Sequence, residues 1–253
     1  MKIEVLISTL NDGIYNLNGF DNRLCYLIVH QVSNGSINYQ DFTSKFPCNV
    51  RYIKLDGKGL SVSRNIALNN AQGDYLWIMD DDVKIYGASY EKLKDYIARY
   101  PSVDMFVLNH SSDESIKSLN FDEKKLHRFN SFSVSSIDMF LKRSSIEGLR
   151  FDERFGLGTA LPSGEEYIFT CSLLKNKKKI FKTNTVFSYH PPITSGIDFY
   201  STPEKMRAKL YMFRETSGYL FGSFLYLLFV IKKMKLIYRG RGVLNIFRAF
   251  YRK

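Results

Sequence analysis

Residues 59–83 read GLSVSRNIALNNAQGDYLWIMDDDV, and they predict a helix, then a buried strand, then three carboxylates. Ser61 is a favourable helix cap, and apolar residues recur at helical spacing after it. Gly73 and Asp74 interrupt the helix before the β-rich run 75–79. Ligands bind at the carboxyl ends of the strands in an open α/β sheet, so acids at that position are placed for function.

Three consecutive acids, Asp80, Asp81 and Asp82, follow that strand. Carboxylates this close together repel one another, and a hard divalent cation such as Mg²⁺ or Mn²⁺ relieves the repulsion. Such a cation takes one or two carboxylates and fills its other positions with water and substrate phosphate oxygens. The pattern therefore predicts a metal site, and the alternative is a solvated acidic cluster in a turn.

The same residues resemble the signature of family 2 glycosyltransferases of the GT-A type. That signature runs G-x-S-x-A-R-N, then A-x-G-x-Y into a strand that ends in a D-x-D cluster. The corresponding residues are 59–65, 71–75 and 80–82, in the same order and spacing. The resemblance covers roughly residues 1–195. It implies an inverting glycosyltransferase on a GT-A, Rossmann-like α/β fold, a mostly parallel mixed sheet with helices on both faces.

The resemblance divides a catalytic domain, residues 1–200, into a nucleotide-binding half (1–110) and an acceptor half (111–200). The first predicted strand ends at Thr9 and Asn11, where relatives carry P-x-Y-N and contact the base and ribose. The donor-binding residues that the resemblance implies are Thr9, Asn11, Gln31, Arg64, Asp80 and Asp81.

Gln31 departs from the family pattern. Relatives carry an acidic D-D-G-S turn after their second strand, one aspartate of which accepts from uracil, whereas this chain has Gln31 there. A glutamine amide still bonds a base edge, so a UDP-sugar remains the favoured donor while the nucleotide stays open. Arg64 is expected to contact the diphosphate because guanidinium matches phosphate geometry. The alternative for Arg64 is a surface arginine on a helix.

Residues 163–169 read SGEEYIF and open a predicted amphipathic helix. In the family this position carries a G-E-D motif whose last acid is the general base; Glu166 aligns with it, and Glu165 is the second choice. Inversion at the anomeric carbon needs a carboxylate that takes the proton of the acceptor hydroxyl. Ser163 and Glu166 also match a capping box, which explains both residues without catalysis.

His190 precedes two prolines at the end of a predicted strand. Relatives often complete the metal site with a late histidine, so the expected ligands of Mn²⁺ or Mg²⁺ are Asp82, Asp80 and His190. A metal held there neutralises the departing diphosphate. The alternative is a core histidine that bonds the backbone.

The net charge of +11 lies entirely in the C-terminal segment, because residues 205–253 contain twelve Lys and Arg and one acid. The neutral body argues against nucleic acid as a partner, and the basic tail indicates an anionic surface. Residues 201–253 are therefore predicted to be a basic, helical, membrane-associating appendage.

Residues 243–251 segregate by helical spacing into an apolar face and a basic face. Phe247 and Phe250 are expected to insert at the headgroup level, while Arg248 and Arg252 face anionic lipid. The alternative is that this face packs on the catalytic domain or on a partner subunit of a homo-oligomer.

The three cysteines are widely spaced and include no C-x-x-C pair, which is typical of thiols in a reducing compartment. No stretch reaches the eighteen or so apolar residues that a spanning helix needs. We expect a cytoplasmic protein, peripheral to the inner face of the cell membrane.

Apolar runs along the chain predict the remaining elements. Strands are predicted at 3–8, 25–30, 49–55, 74–79, 103–109, 133–141 and 179–189, and a short helix is predicted at 122–126.

These features favour a metal-dependent inverting glycosyltransferase that extends a surface or capsular glycan, or a lipid-linked acceptor, from a nucleotide-sugar. One alternative is a sugar-nucleotide nucleotidyltransferase, which needs a glycine-rich phosphate loop after the first strand; residues 9–13, TLNDG, do not form one. Another is a non-catalytic scaffold protein that binds nucleotide-sugar.

Overall fold

A computed structural model describes residues 1–33, 37–113, 115, 119–192 and 198–251. The strands are β1 (Ile3–Leu10), β2 (Cys25–Val32), β3 (Val50–Asp56), β4 (Tyr75–Asp80), β5 (Lys84–Ile85), β6 (Met105–Val107), β7 (His110–Ser111), β8 (Lys124–Leu126), β9 (Met139–Lys142), β10 (Ile180–Lys182) and β11 (Ser188–Tyr189). The helices are α1 (Gln40–Thr43), α2 (Leu60–Asn70), α3 (Ser89–Arg99), α4 (Glu165–Lys175), α5 (Pro203–Ser217), α6 (Tyr219–Arg239) and α7 (Val243–Arg248).

Eight strands form one mixed sheet in the order β3-β2-β1-β4-β9-β6-β10-β8. The strands β3, β2, β1 and β4 are parallel, so their carboxyl ends meet at one edge. Strand β9 runs antiparallel to both β4 and β6, and β8 runs antiparallel to β10 at the far edge. A second, small sheet pairs β5 with β11 and β11 with β7.

Alternate side chains of the central strands build two cores, one on each face of the large sheet. On β4, Trp77 faces the core that contains Leu93 of α3, whereas Ile78 faces the core shared with α2 and α4. Parallel strands that are covered by helices on both faces are apolar along most of their length, because side chains on both faces are buried. The result is a mostly parallel sheet with helices on both faces, which confirms the predicted GT-A, Rossmann-like fold class.

Three predicted elements in the second half differ from the structure. The predicted helix at 122–126 is wrong, because Lys124–Leu126 form the edge strand β8. The predicted strand at 133–141 is reduced to β9, after a 3₁₀ turn at Ser136–Asp138. The predicted strand at 179–189 splits into β10 and β11, which belong to different sheets. Pairings of two to four residues are too short to produce a periodic sequence pattern.

Helix α2 begins at Leu60, and Gly59 is its cap. The predicted cap at Ser61 is wrong, because that hydroxyl lies inside the helix and donates to the Phe155 carbonyl at 2.6 Å. Gly59 has a φ of +145°, a conformation that favours glycine. The turn leaves the Gly59 N–H at the sheet edge, where it donates to Gln31 Oε1 at 2.7 Å.

Helices α5, α6 and α7 share a third hydrophobic core with the outer face of α4. Thr202 caps α5 by accepting a hydrogen bond from the Lys205 N–H at 3.3 Å, and Pro203 occupies the first helical position. Within the described ranges, none of the helices combines the length and the apolar character that crossing a bilayer requires.

Candidate active site

A cavity of about 290 Å³ opens at the carboxyl edge of the parallel strands. Such an edge is where ligands bind in open α/β sheets, and concave pockets with a few convergent polar groups are typical binding sites. Six residues that the sequence singled out line it together, namely Thr9, Gln31, Asp80, Asp81, Asp82 and His190.

The three acids of the cavity differ in their surroundings. Asp81 accepts a hydrogen bond from the Thr9 hydroxyl, and Gly13 packs so closely that a Cβ there would overlap the Asp81 carboxylate. Burial raises the pKa of Asp81, the Thr9 bond opposes that rise, and the charges of Asp82 and Asp80 add to it. Asp82 is 44 % exposed, so it is the most accessible of the three carboxylates.

His190 faces Asp82 across a short gap, with its Nε2 3.2 Å from the Asp82 Oδ1. The other ring nitrogen, Nδ1, lies 2.6 Å from the Pro191 carbonyl oxygen. A carbonyl only accepts, so Nδ1 carries the hydrogen. Nε2 is therefore the ring nitrogen that faces the Asp82 carboxylate, and a proton or a cation between the two makes this contact favourable.

The donor set at Asp82 and His190 suits a divalent cation, because imidazole nitrogen and carboxylate oxygen both bind Mn²⁺. Among the residues that the structure describes, no three His, Cys, Asp or Glu side chains form a complete metal cluster. Mg²⁺ and similar ions keep several water and phosphate ligands, so one or two protein donors meet their needs. Asp80, the third expected ligand, is instead bonded through Oδ1 to Arg64 at 3.2 Å.

Arg64 lies at the centre of a buried ion cluster and is only 2 % exposed. Its guanidinium donates to Asp80 at 3.2 Å, to Glu165 at 3.1 Å and to the Ser136 hydroxyl at 2.7 Å. The alternative of a surface arginine is therefore wrong. In this arrangement the guanidinium reaches the cavity through Asp80, and it ties the end of β4 to the start of α4.

Glu165 is buried beside Arg64, with Glu166 next to it in sequence. Burial raises the pKa of Glu165, the Glu166 charge adds to the rise, and Arg64 opposes it. Lys209 of α5 lies near both acids, whose charges partly offset the lowering of its pKa by burial. In the described part of the chain, Glu165 Oε2 and Arg64 Nε are buried without a hydrogen-bond partner.

Helix α4 begins at Glu165, with Gly164 as its cap and no side-chain capping bond. The alternative reading of Ser163 and Glu166 as a capping box is therefore wrong. Gly164 has a φ of +108°, and a Cβ there would lie 3.1 Å from the Met212 side chain of α5. Glu166 is half-buried, and it does not line the 290 Å³ cavity.

The first turns of α2 hold the loop of residues 151–161 in place. The Asn65 amide donates to the Phe151 carbonyl at 2.9 Å and accepts from the Phe151 N–H at 2.8 Å. The Leu60 N–H donates to the Leu157 carbonyl at 3.0 Å, and Leu157 lines the cavity. The resemblance drew attention to the SRN residues but not to this loop, whose only sequence signal is the repeated glycine of FGLG.

Gln31 and Asn11 both bond protein partners. Gln31 accepts from Gly59 and donates to the Thr9 carbonyl at 3.5 Å, so its amide joins the ends of β1 and β2 to the start of α2. Asn11 has a φ of +48° and accepts from the Ser33 N–H at 2.9 Å. It stabilises the turn after β1 and does not line the 290 Å³ cavity.

His110 is a neighbour of the site that sequence reasoning missed, because its partner is remote in sequence. Its Nδ1 lies 3.0 Å from Asp138 Oδ1, and this bond raises the pKa of His110. Its ring stands edge-on to that of His190, with centroids 5.7 Å apart. The three groups therefore extend the polar wall of the site beyond the cavity.

The expected membrane residues lie on α7 and just after it. Phe247 is 62 % and Phe250 is 46 % exposed, and Arg248 is also exposed. Ile246, on the same apolar arc, is buried against α5 and α6, so the face is divided between packing and exposure. Arg252 lies outside the described residues.

Comparison with known proteins extends these observations. A family model described as "Glycosyl transferase family 2" matches residues 32–139, which include the three acids and Arg64. The minor teichoic acid biosynthesis protein GgaB of Bacillus subtilis (strain 168) is 23 % identical over 172 residues, 62 % of this chain. The chain spans only 19 % of the length of that protein.

Solved structures share the fold at low identity. S. aureus TarS 1-349 in complex with UDP superposes with a TM-score of 0.60 at 18 % identity, covering 87 % of this chain and 71 % of that one. The mannosyltransferase PcManGT from Pyrobaculum calidifontis, in complex with GDP-Man and Mn²⁺, gives 0.56 at 12 % identity over 94 % of this chain and 73 % of that one. The chain is therefore similar to family 2 glycosyltransferases over residues 32–139, the part that contains Arg64 and the three acids at the carboxyl edge of the sheet.

Proposed function

We propose that the chain is a metal-dependent, inverting glycosyltransferase that moves a sugar from a nucleotide-sugar onto a glycan or lipid-linked acceptor of a surface polysaccharide. The observation that carries the proposal is the cavity where Thr9, Gln31, the three acids and His190 converge at the sheet edge. Proteins of the same fold bind UDP and GDP-Man. The likeness to a teichoic acid biosynthesis protein supports an acceptor of the surface-polymer class.

In this mechanism, Asp82 and His190 would hold Mn²⁺ or Mg²⁺, with Asp80 at the same edge of the cavity. The bound cation supplies positive charge to the departing nucleotide diphosphate. Asp81, held by Thr9, forms the wall against which the donor lies. Gln31 faces the cavity from the end of β2, where its amide is assigned to the nucleotide base.

Glu166 is proposed to take the proton of the acceptor hydroxyl, which attacks the anomeric carbon from the face opposite the nucleotide. The buried Glu165–Arg64 contact supports this assignment, because it fixes the first turn of α4 from which Glu166 projects. Arg64 contributes to donor binding indirectly, because it holds Asp80 in the wall of the cavity. Glu165 remains the alternative base.

Donor turnover in Asp82→Ala and Glu166→Gln tests the proposal. Removing a general base typically costs about 10²- to 10⁴-fold in rate, so Glu166→Gln is expected to bind donor normally and turn it over at least about 100-fold more slowly. Asp82→Ala is expected to need more Mn²⁺ for any residual turnover. The assay uses a panel of UDP- and GDP-sugars with and without Mn²⁺, and donor binding is measured separately by calorimetry.

Asp95→Asn on α3 is the matched control, since Asp95 is an exposed acid on an element that does not line the cavity. It is expected to behave as the wild type. Folded variants of Asp82 and Glu166 that bind donor and keep full turnover would contradict the assigned roles. A wild-type protein that binds no nucleotide-sugar at any metal concentration would remove the proposed function itself.

Peripheral attachment of residues 201–253 to the inner face of the cell membrane completes the proposal, and it suits a lipid-linked acceptor. Its support is the exposure of Phe247 and Phe250 beside the basic Arg248. Arg252 is assigned to the same face from its sequence position. The double variant Leu244→Ser/Phe247→Ser, which alters only exposed side chains of α7, is expected to weaken co-sedimentation with anionic vesicles.

A further inference from the structure

Residues 219–231 of helix α6 are apolar around the whole circumference apart from Ser223, although only one side of the helix is packed. Its inner side is buried through Gly222, Tyr226, Val230 and Ile237. Its outer side presents large apolar residues that are between 39 % and 82 % exposed, namely Leu220, Phe221, Phe224, Leu227, Leu228, Ile231, Met234 and Tyr238. At 100° per residue these eight side chains fall within an arc of about 140°.

From this exposed arc we infer that the outer face of α6 lies flat on an anionic lipid bilayer and forms the main membrane-docking surface of the chain. A helix that is hydrophobic all round normally has an apolar environment on every side. Monomeric proteins rarely leave a contiguous apolar patch of this extent uncovered. Since α6 does not meet the requirements for a spanning helix, it rests in the interface rather than crossing it.

The basic residues of α6 favour an anionic bilayer as the surface that this face contacts. Helix α6 contains no Asp or Glu, and its C-terminal half carries Lys232, Lys233, Lys235 and Arg239. Lysine and arginine beside an apolar face attract anionic headgroups. A second copy of this chain is a poorer occupant, because each α6 would bring four basic residues and no acid to the interface.

The docking surface is also close to α4, the helix that carries Glu165 and Glu166. A Cβ at Gly222 would lie 2.5 Å from the Arg214 Cα, so α6 packs directly on the end of α5. Met212, two residues earlier on α5, packs against Gly164 at the start of α4. Insofar as the proposed function holds, docking through α6 places the Glu165 and Glu166 end of α4 near the bilayer, where a lipid-linked acceptor resides.

Vesicle flotation of the full chain tests this surface without any need for enzymatic activity. The probes are vesicles of phosphatidylcholine alone and of phosphatidylcholine with 30 % phosphatidylglycerol. The wild type is expected to float with the anionic vesicles. Leu220→Ser/Phe224→Ser/Ile231→Ser removes three exposed side chains from the arc and is expected to weaken partitioning at least about tenfold.

Two further variants separate α6 from other exposed apolar residues. Leu244→Ser/Phe247→Ser on α7 is expected to weaken binding less than the α6 variant does. Phe121→Ser/Phe129→Ser, which alters exposed aromatic residues outside the C-terminal helices, is expected to leave flotation unchanged. Circular dichroism and thermal melts establish that each variant is folded.

Several outcomes overturn the inference. Equal flotation of the wild type and the α6 variant removes α6 as the docking surface, and loss of binding only in the α7 variant assigns docking to α7 alone. A wild-type dimer in light scattering that the α6 variant converts to a monomer makes the face a subunit interface. Donor turnover, measured in parallel without vesicles, separates any of these results from a failure of the proposed function.

Discussion

Arg64 carries one positive charge between two acids that belong to different parts of the site. Asp80 ends β4 at the cavity, and Glu165 begins α4. The guanidinium suits this position because its fork of donors contacts both acids and the Ser136 hydroxyl at once, which a lysine ammonium does not reproduce. Removal of Arg64 would leave Asp80 without its counter-charge and the buried Glu165 carboxyl without its hydrogen-bond donor.

Arg64→Met is therefore expected to lower the free energy of unfolding by about 1–3 kcal/mol, the usual cost of leaving a buried polar group without its hydrogen-bond partner. Arg64→Lys keeps the charge and is expected to lose less. Urea denaturation followed by fluorescence measures both values. Arg150→Met is the control, because Arg150 is exposed and its loss is expected to cost under about 0.5 kcal/mol. If Arg64→Met is as stable as the control, the contacts of Arg64 do not stabilise the fold.

The raised pKa of Glu165 predicts a pH-dependent stability. Below its ordinary value of 4.5 the carboxyl is protonated in both the folded and unfolded chain. As the pH rises above that value the unfolded chain ionises first, because burial and the Glu166 charge raise the pKa of the folded state. The folded protein therefore loses stability until the pH passes the raised pKa.

Glu165→Gln removes this titration and keeps the side-chain shape. The free energy of unfolding of the wild type minus that of Glu165→Gln is expected to fall between pH 5 and pH 8.5. A shift of one pKa unit corresponds to about 1.4 kcal/mol, so a fall of at least that size is expected. Urea titrations across this range measure it, and a difference that rises with pH shows that Arg64 dominates and lowers the pKa instead.

At the scale of elements, the start of α4 depends on a glycine that α5 covers. Gly164 has a left-handed φ of +108°, and Met212 of α5 fills the space where a side chain would lie. The contact between Gly164 and Met212 sets the position of the first turn of α4 relative to the cavity. The C-terminal helices therefore contribute to the geometry of Glu165 and Glu166 as well as forming their own core.

Gly164→Ala is expected to lower stability by about 1–3 kcal/mol and to lower donor turnover, because strain and the Met212 contact together displace the first turn of α4. Gly19→Ala is the matched control, since Gly19 also has a positive φ, +66°, but its Cβ would meet open space. It is expected to lose stability without losing specific activity.

The double variant Gly164→Ala/Met212→Ala checks the contact itself. If the clash carries part of the effect, the second substitution restores turnover in the Gly164→Ala background even though it costs core packing. Melting temperatures and turnover of the single and double variants form a cycle. Additive losses in that cycle would show that backbone strain alone is responsible.

The sequence predicts the first half of the fold well and the second half poorly, for physical reasons. Strands β1, β2 and β4 are long and buried on both faces, so each appears as a mostly apolar run. Strand β8 contains only Lys124–Leu126 and shows no such pattern. In the site, the acids and His190 end strands and are visible in sequence. The Arg64–Glu165 contact joins residues 101 positions apart, so no local pattern reveals it.

At the scale of the whole molecule, charge and apolar exposure are concentrated in the same segment. Residues 205–253 carry the entire net charge of +11, and their helices α6 and α7 expose the apolar residues described above. The body keeps its acids and bases in balance and holds the cavity. The proposed membrane binding and the proposed catalysis therefore use different parts of the surface, and they are expected to respond to different solution conditions.

Salt separates the two contributions to membrane binding. The Debye length falls from about 10 Å at 0.1 M salt to about 3 Å at 1 M, so high salt screens the attraction of the basic residues to anionic lipid. Apolar insertion of α6 does not depend on that attraction. Partitioning of the wild type onto anionic vesicles is therefore expected to fall with salt until it reaches the level measured on phosphatidylcholine alone, and no further.

Two variants test the apolar and the charged contributions separately. The variant Leu220→Ser/Phe224→Ser/Ile231→Ser is expected to reach a lower plateau with the same dependence on salt. The variant Lys232→Gln/Lys235→Gln is expected to depend less on salt and to reach the same plateau. Binding that falls to zero at high salt in the wild type would show that α6 contributes no insertion and that charge alone holds the chain at the surface.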